Sequence, residues 1–277
     1  EMPVSELFGH VTKKSLHVET VDTIRNTLET LLSELIKPRF GPVLMDLPVN
    51  IQMSNMPKDT PNPSLHFLWP TKSDTKYDLT PFITESKRPL IIFGHGVKLA
   101  GVKNEAIGFA ESTNIPFVVS WGAFDICETD HPLRIGSHGV YGDRCANYTV
   151  QNADLLIIIG SRLDSRQTGG NGSLFSKYSK KVMVDVDLNE IKKLPERNIH
   201  IDHSICTDLK EFFLNLKNSP IQTQFTEWKN TLNDWKTIYG EEITRKGDSA
   251  VYDYLNEFFR TLPNDSIVIP DQGGNLV

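Results

Sequence analysis

Residues 142–170 read GDRCANYTVQNADLLIIIGSRLDSRQTGG, and the fold turns on how this stretch is read. The run LLIIIG is too uniformly apolar for an edge strand, so it is expected to be covered on both faces, as central strands of parallel sheets are. Polar residues crowd just past its end, where open α/β sheets usually hold their ligands. In an extended segment residues two apart point the same way. Arg162, Asp164 and Arg166 are therefore expected to form one charged row, followed by the close backbone approach that Thr168-Gly169-Gly170 permits. A solvated salt-bridge row is the plain alternative; an anionic ligand held by two guanidinium groups is the sharper one.

The totals are those of an ordinary soluble protein. Of the 277 residues, 39% are hydrophobic, enough for a sizeable core. The net charge of -6 comes without a Lys/Arg cluster, which argues against nucleic acid as a partner. Apolar runs are far shorter than the roughly 20 residues needed to span a bilayer. Three cysteines, Cys127, Cys145 and Cys206, are widely spaced and fit reduced thiols in a cytoplasmic protein. The chain starts at Glu1 and stops after GGNLV, and is expected to be a piece of a longer protein.

Outward from the central strand, an α/β pattern repeats. A possible strand around LHV precedes a helix from Val21 that Thr20 can cap and Pro38 stops. The buried strand VLMDLP follows. Residues 53–80 read as a linker laid over the surface, with Leu65, Phe67, Leu68 and Trp69 seeking burial. From Pro89 the predicted order is strand PLIIFG, a helix over 102–112, strand PFVVS, a long loop, a helix over 143–152, strand ADLLIIIG, strand KVMVDVD, a helix from Asn189, strand NIHID and a helix over 207–216. Such alternation implies a doubly wound, mostly parallel sheet over 81–217. Phe225, Trp228, Leu232, Trp235 and Ile238 form the stripe of a linking helix over 218–245. A helix from Asp248, with Val251, Leu255, Phe258 and Phe259 on one face, and strand SIVIP then start a further α/β unit over 246–277.

Other residues could carry chemistry. Gly94-His95-Gly96 sits between a strand and a helix and suggests a phosphate cradled by backbone N–H groups, or else a tight turn. Cys127, His131, His138 and Cys145 lie in one stretch, but their spacing matches no common zinc pattern. No His or Arg stands beside a thiol in a way that makes a nucleophile. Asp185 and Asp187 end a strand where carboxylates often accept ribose hydroxyls, with helix capping the alternative that fits Asp187 better.

With these residues in hand, the chain resembles the thiamine diphosphate-dependent enzymes of the acetolactate synthase type. The carriers are ANYTVQNADLLIIIGSRLDSRQTGG, GPVLMDLP, VMVDVDLNEI and DSIVIPDQGGN. The resemblance implies the end of a pyrimidine-binding domain at 1–52, a central nucleotide- or FAD-binding domain at 81–217 and the start of a pyrophosphate-binding domain at 246–277. It also implies thiamine diphosphate with Mg2+, FAD without net redox chemistry, and a homodimer or homotetramer acting on pyruvate and a carbonyl acceptor. Carried over residue by residue, the cofactor positions are Gly94, Gly96, Gly142, Arg162, Asp164, Arg166, Asp185 and Asp208, with Gly273, Gly274 and Asn275 at the thiamine pyrophosphate. The activating glutamate and metal motif of the family fall outside this stretch, so the piece alone is expected to be inactive, and no catalytic residue or metal ligand is assigned. Trp121 stands where the family has a different loop, and His138-Gly139 precede the position of its His-Gly pair.

The implied activity is decarboxylation of pyruvate and transfer of the two-carbon unit to a 2-oxo acid or keto sugar. A simple 2-oxo acid or acyl-CoA decarboxylase, with ADP, CoA or nothing in the central domain, is a second reading. A non-catalytic nucleotide-binding module is a third.

Overall fold

The computed structural model describes residues 2–37, 39–55, 75–216, 225–240, 250–263 and 265–269. The chain divides into two compact units, Glu1–Thr75 and Lys76–Val277. The first holds α1 (Val4–Phe8), β1 (Lys14–His17), α2 (Ile24–Ile36), β2 (Val43–Asp46) and α3 (Val49–Gln52). The two strands pair in parallel, with Lys14 opposite Val43 and His17 opposite Asp46. The Lys13 ammonium donates to the carbonyls of Glu34 and Lys37, which satisfies the open end of α2. Thr20 works through its carbonyl, accepting from Thr23 N–H and Oγ1, and not as the expected side-chain cap. Strand β2 is half-buried, not buried, because its only strand partner among the described residues is β1. Pro38 and most of the 53–80 linker, including Leu65, Phe67, Leu68 and Trp69, lie outside the described residues.

The second unit is built on a six-stranded parallel sheet: β3 (Pro89–Phe93), β4 (Phe117–Val119), β5 (Arg134–Ser137), β6 (Leu155–Ile159), β7 (Lys180–Asp185) and β8 (His203–Cys206), in the order β5-β4-β3-β6-β7-β8. Around it lie α4 (Thr80–Glu85), α5 (Gly96–Leu99), α6 (Lys103–Thr113), α7 (Arg144–Asn152), α8 (Ser165–Thr168), α9 (Leu188–Lys193), α10 (Leu209–Asn215) and α11 (Thr226–Gly240), and α12 (Ala250–Thr261) follows in the chain. The period of two in a strand divides the apolar residues between the faces. Ile91, Phe93, Leu155, Ile157 and Ile159 enter one core, and Leu90, Ile92, Leu156, Ile158 and Met183 the other. Every residue of β3 and β6 is buried, so the doubly wound sheet with covered faces is as expected. No helix among the described residues is long and apolar enough to cross a membrane.

Asp154 joins the helix before β6 to the segment before β3. Its carboxylate accepts from Lys87 and Arg88 N–H, both at 2.9 Å, and from the Ser86 hydroxyl. The fold also takes in residues before 81. Leu79 is core, and Tyr77 N–H donates to Asn215 O at 3.1 Å, tying the start of the domain to α10.

Four expectations change. The edge strand β5 forms inside the predicted long loop; its RIGS has no apolar run to announce it, and pairing with β4 supplies the ladder. The strand expected at NIHID begins five residues later, at β8. Only from Asp202, whose N–H donates to Lys181 O, does the chain run beside β7. Residues 266–269 of SIVIP form no strand, and Ile267 and Ile269 are exposed. A strand needs a neighbour for its backbone groups, and none lies there among the described residues. On α12, Phe258 and Phe259 are exposed for the same lack of a facing layer; the side chain of Val251 is not described.

Helix α11 is part of the core, not only a link. Phe225, Trp228 and Leu232 are buried, and Trp228 Nε1–H donates to Pro89 O at 3.1 Å at the start of β3. Ile238, placed on the same stripe by spacing, is 59% exposed. Replacing Trp228 by Phe should therefore cost about 1–3 kcal/mol in urea unfolding, because it leaves a buried carbonyl without its donor. Ile238→Ala should stay within about 0.5 kcal/mol of the parent.

Candidate functional site

The strand order reverses between the parallel neighbours β3 and β6. From β3 the sheet grows through β4 to β5, and from β6 through β7 to β8. The crevice outside the carboxyl ends of two such strands is where open α/β sheets take their ligands. Here that crevice is bounded by the Gly94-His95-Gly96 loop after β3 and the Gly160–Asp164 loop after β6.

These two loops touch backbone to backbone. Gly94 N–H donates to Ile159 O and Gly96 N–H to Gly160 O, both at 2.9 Å. A Cβ on Gly94 would lie 2.2 Å from Gly160 O, and one on Gly96 2.8 Å from Gly160 Cα. Gly160 itself has φ 63°, a region open to glycine at little cost. The glycines thus serve close approach of the two loops. The N–H groups of Gly94 and Gly96, expected to cradle a phosphate, are already spent on protein carbonyls. His95 binds the loop after β4, its Nδ1–H donating to Gly122 O at 2.8 Å.

The loop after β6 corrects the expected extended row. Leu163 is fully buried with φ 51°, and this left-handed residue breaks the alternation. Asp164 then caps α8, accepting from Arg166 N–H at 2.9 Å and Gln167 N–H at 3.3 Å. Gln167 ties the loop together, its Oε1 accepting from Ser161 Oγ at 2.6 Å and its Nε2 donating to Asp164 Oδ2 at 3.1 Å. Arg197 braces the loop from behind through Leu163 O and, at 2.7 Å, Thr168 Oγ1. So Asp164 is a positioning carboxylate, while the exposed guanidinium groups of Arg162 and Arg166 make no hydrogen bond or ion pair among the described residues. Neither Gln167 nor Arg197 was legible beforehand, since nothing local marks a residue that bonds across a loop.

The loop after β5 closes the same crevice. Val140 N–H donates to Arg166 O at 2.7 Å. The Asn147 side chain on α7 both accepts from Gly139 N–H and donates to Gly139 O, at 2.9 and 2.8 Å, which explains an Asn inside ANYTVQ. Gly142 sits where a Cβ would lie 2.4 Å from Ser137 O, so its evident task is the tight turn. His138 is buried, its Nδ1–H donating to Val119 O at 3.2 Å. A carbonyl can only accept, so neutral His138 carries its lone pair on Nε2, and that buried atom has no partner among the described residues. Burial lowers the His138 pKa to about 4, against weaker opposing pulls from Val119 O, Asp164 and Gln167, whose amide is already committed to Ser161 and Asp164. At the rim Trp121 stacks on Tyr141, ring centroids 5.8 Å apart, both exposed.

At the end of β7, Asp185 is buried and accepts from Asp187 N–H at 2.9 Å, while Asp187 caps α9 through Asn189 N–H. Asp208 caps α10 through Lys210 N–H at 2.8 Å. Gly273, Gly274 and Asn275 lie outside the described residues. Burial raises the thiol pKa of Cys127, Cys145 and Cys206, which works against a thiolate nucleophile. Among the described residues no group of three or more His, Cys, Asp or Glu could hold a metal ion.

Two outcomes follow from this packing. Gly94→Ala should lower stability by roughly 2–3 kcal/mol in chemical denaturation, because the new methyl meets backbone. Gly170→Ala, with nothing within 4 Å, should be close to neutral. A His whose folded pKa falls below its unfolded value favours folding while neutral. Its contribution is whole above the unfolded value of 6.5 and is lost as pH falls toward about 4. That contribution is about 3 kcal/mol at 1.36 kcal/mol per pKa unit. Stability measured from pH 7 to 4 should drop correspondingly, and His138→Gln should remove that part of the slope whatever its absolute stability.

The sequence profile of the family described as "Thiamine pyrophosphate enzyme, central domain" matches residues 78–216. Among curated proteins, the chain is 28% identical to acetolactate synthase 1, chloroplastic, of Oryza sativa subsp. japonica over 93% of its own length and 42% of the relative's. It is 32% identical to the acetolactate synthase large subunit of Corynebacterium glutamicum over 83% of its own length and 37% of the relative's. The chain thus spans about two fifths of the length of these relatives. A profile that covers half of the sequence and falls on the six-stranded sheet and its switch-point loops settles the family: the chain belongs to the thiamine pyrophosphate enzymes and carries their central domain.

Proposed function

We propose that this chain is part of a thiamine diphosphate- and Mg2+-dependent carboligase that decarboxylates pyruvate and passes the two-carbon unit to a 2-oxo acid or keto-sugar acceptor. In this reading residues 1–52 end a pyrimidine-binding domain, 246–277 begin a pyrophosphate-binding domain, and the whole protein is a cytoplasmic homodimer or homotetramer. The likeness to acetolactate synthases supports it. Thiamine diphosphate, when bound, supplies the electron sink for the decarboxylation. The residues expected at its pyrophosphate, Gly273, Gly274 and Asn275, lie outside the described residues.

The observation that carries the central-domain part is the pair of uncommitted guanidinium groups, Arg162 and Arg166, on the loop after β6, together with the buried, unpartnered Nε2 of His138 on the adjoining loop after β5. Two cations at a switch point suit a pyrophosphate, and a buried lone pair suits a hydroxyl or N–H donor. A dinucleotide such as FAD offers both. Arg162 and Arg166 would bind its pyrophosphate, and His138 would accept from it. Asp185, at the end of β7, would take a ribose hydroxyl. Asp164, Gln167 and Arg197 hold the arginine-bearing loop in place, while stacked Trp121 and Tyr141 at the rim shield the bound group from water. The spent N–H groups of Gly94 and Gly96 assign those glycines to close packing beneath the nucleotide.

The full-length protein should be yellow and release FAD on denaturation. Arg162→Met and Arg166→Met should each weaken FAD binding about tenfold or more, read by flavin fluorescence. A colourless protein unaffected by added FAD but stabilised by ADP would replace the flavin with an adenine nucleotide. With pyruvate, thiamine diphosphate and Mg2+ present, absence of carbon dioxide release would remove the carboligase itself.

A further inference from the structure

At the amino-terminal end of the same sheet, opposite the switch-point crevice, a groove of about 630 Å³ lies between α11 and the segments leading into β4 and β5. This volume falls within the usual range for small-molecule sites. Leu133, Ile135 and Leu232 give it an apolar lining. Lys229 and Lys236, seven residues apart on α11, lie on one helix face. The Lys229 ammonium donates to Asn114 Oδ1 at 2.9 Å. In the facing wall His131 and Glu111 pair with each other at 3.2 Å.

Lys236 differs from its neighbours. It is half-buried and makes no hydrogen bond or ion pair among the described residues. Burial pushes its pKa down, and the titratable group that bears on it is the thiol of Cys145, which burial keeps protonated at neutral pH. An ammonium drawn partly out of water without an anion is a standing cost, and a ligand carboxylate would remove it. The lining selects among anions. A phosphate has nothing to pack against Leu133, Ile135 and Leu232, whereas a carboxylate on a short apolar body matches both the ammonium and these side chains, and its single charge is repelled less by Glu111 than a doubly charged phosphate.

We propose that this groove binds a small organic carboxylate, with Lys236 pairing its charge and Leu133, Ile135 and Leu232 packing its apolar body. The site is independent of the reading of the switch-point crevice and goes beyond it. Calorimetric titration of the full chain with isobutyrate should show saturable binding, and Lys236→Met should weaken it about tenfold or more. Inorganic phosphate should bind more weakly than isobutyrate. Ile135→Trp, which fills the groove without touching the charge, should abolish the binding even if Lys236→Met does not fold. No saturable binding at millimolar isobutyrate, tighter binding of phosphate, or affinity unchanged in the folded variants would overturn the proposal.

Discussion

The second unit depends on one close approach of main chain to main chain. At the carboxyl ends of β3 and β6, Gly94 and Gly96 lie against Gly160 where no Cβ would fit, donating 2.9 Å hydrogen bonds to Ile159 O and Gly160 O respectively. Without that approach the two central strands could not end level with each other and send their loops apart. The position of Arg162 and Arg166 follows from it, as does that of the β4 loop, held through His95 to Gly122. Steric exclusion of a methyl group, not a ligand, is sufficient reason for glycine at these points.

Around this contact the polar residues divide into those that hold the structure and those left with unused capacity. Asp154, Asn147, Asp164 and Arg197 each satisfy backbone groups, and Gln167 ties the Ser161 and Asp164 side chains of its own loop together. Such bonds have little net value singly, but a buried group left without its partner costs considerably more. The loops after β3, β4, β5 and β6 are therefore pinned to one another before any ligand arrives. At the switch-point end of the sheet the unused capacity lies in two exposed guanidinium groups, those of Arg162 and Arg166, and in the Nε2 of His138. A scaffold already fixed by its own bonds has little ordering left to do on binding, which lowers the cost of recognition.

Reading the sequence located this region but misjudged its geometry. LLIIIG announced a central strand because only a covered strand tolerates five consecutive apolar side chains, and Leu155–Ile159 is buried throughout. Asp187 as a helix cap was also legible, since capping is settled within a few residues. The row of Arg162, Asp164 and Arg166 was not, because the left-handed turn at Leu163 is imposed by burial of its side chain and not by any residue preference. Strand β5 was invisible for the converse reason. RIGS carries no strand pattern of its own and becomes a strand only beside β4.

The sequence by itself determined the alternation of elements, the covered central strands, the helix caps and the stretch on which a binding site would be sought. These rest on periodicities and on bonds that close within one turn of chain. Tertiary structure alone decided that the glycine pairs serve loop contact, that Asp164 holds a turn while its arginine neighbours stay uncommitted, that α11 enters the core through Trp228, and that His138 keeps a buried lone pair. The glycine contact and the Trp228 bond depend on groups far apart in sequence meeting within hydrogen-bond distance, and the buried states of Leu163 and His138 on what packs over them; no local pattern encodes which distant group will stand opposite.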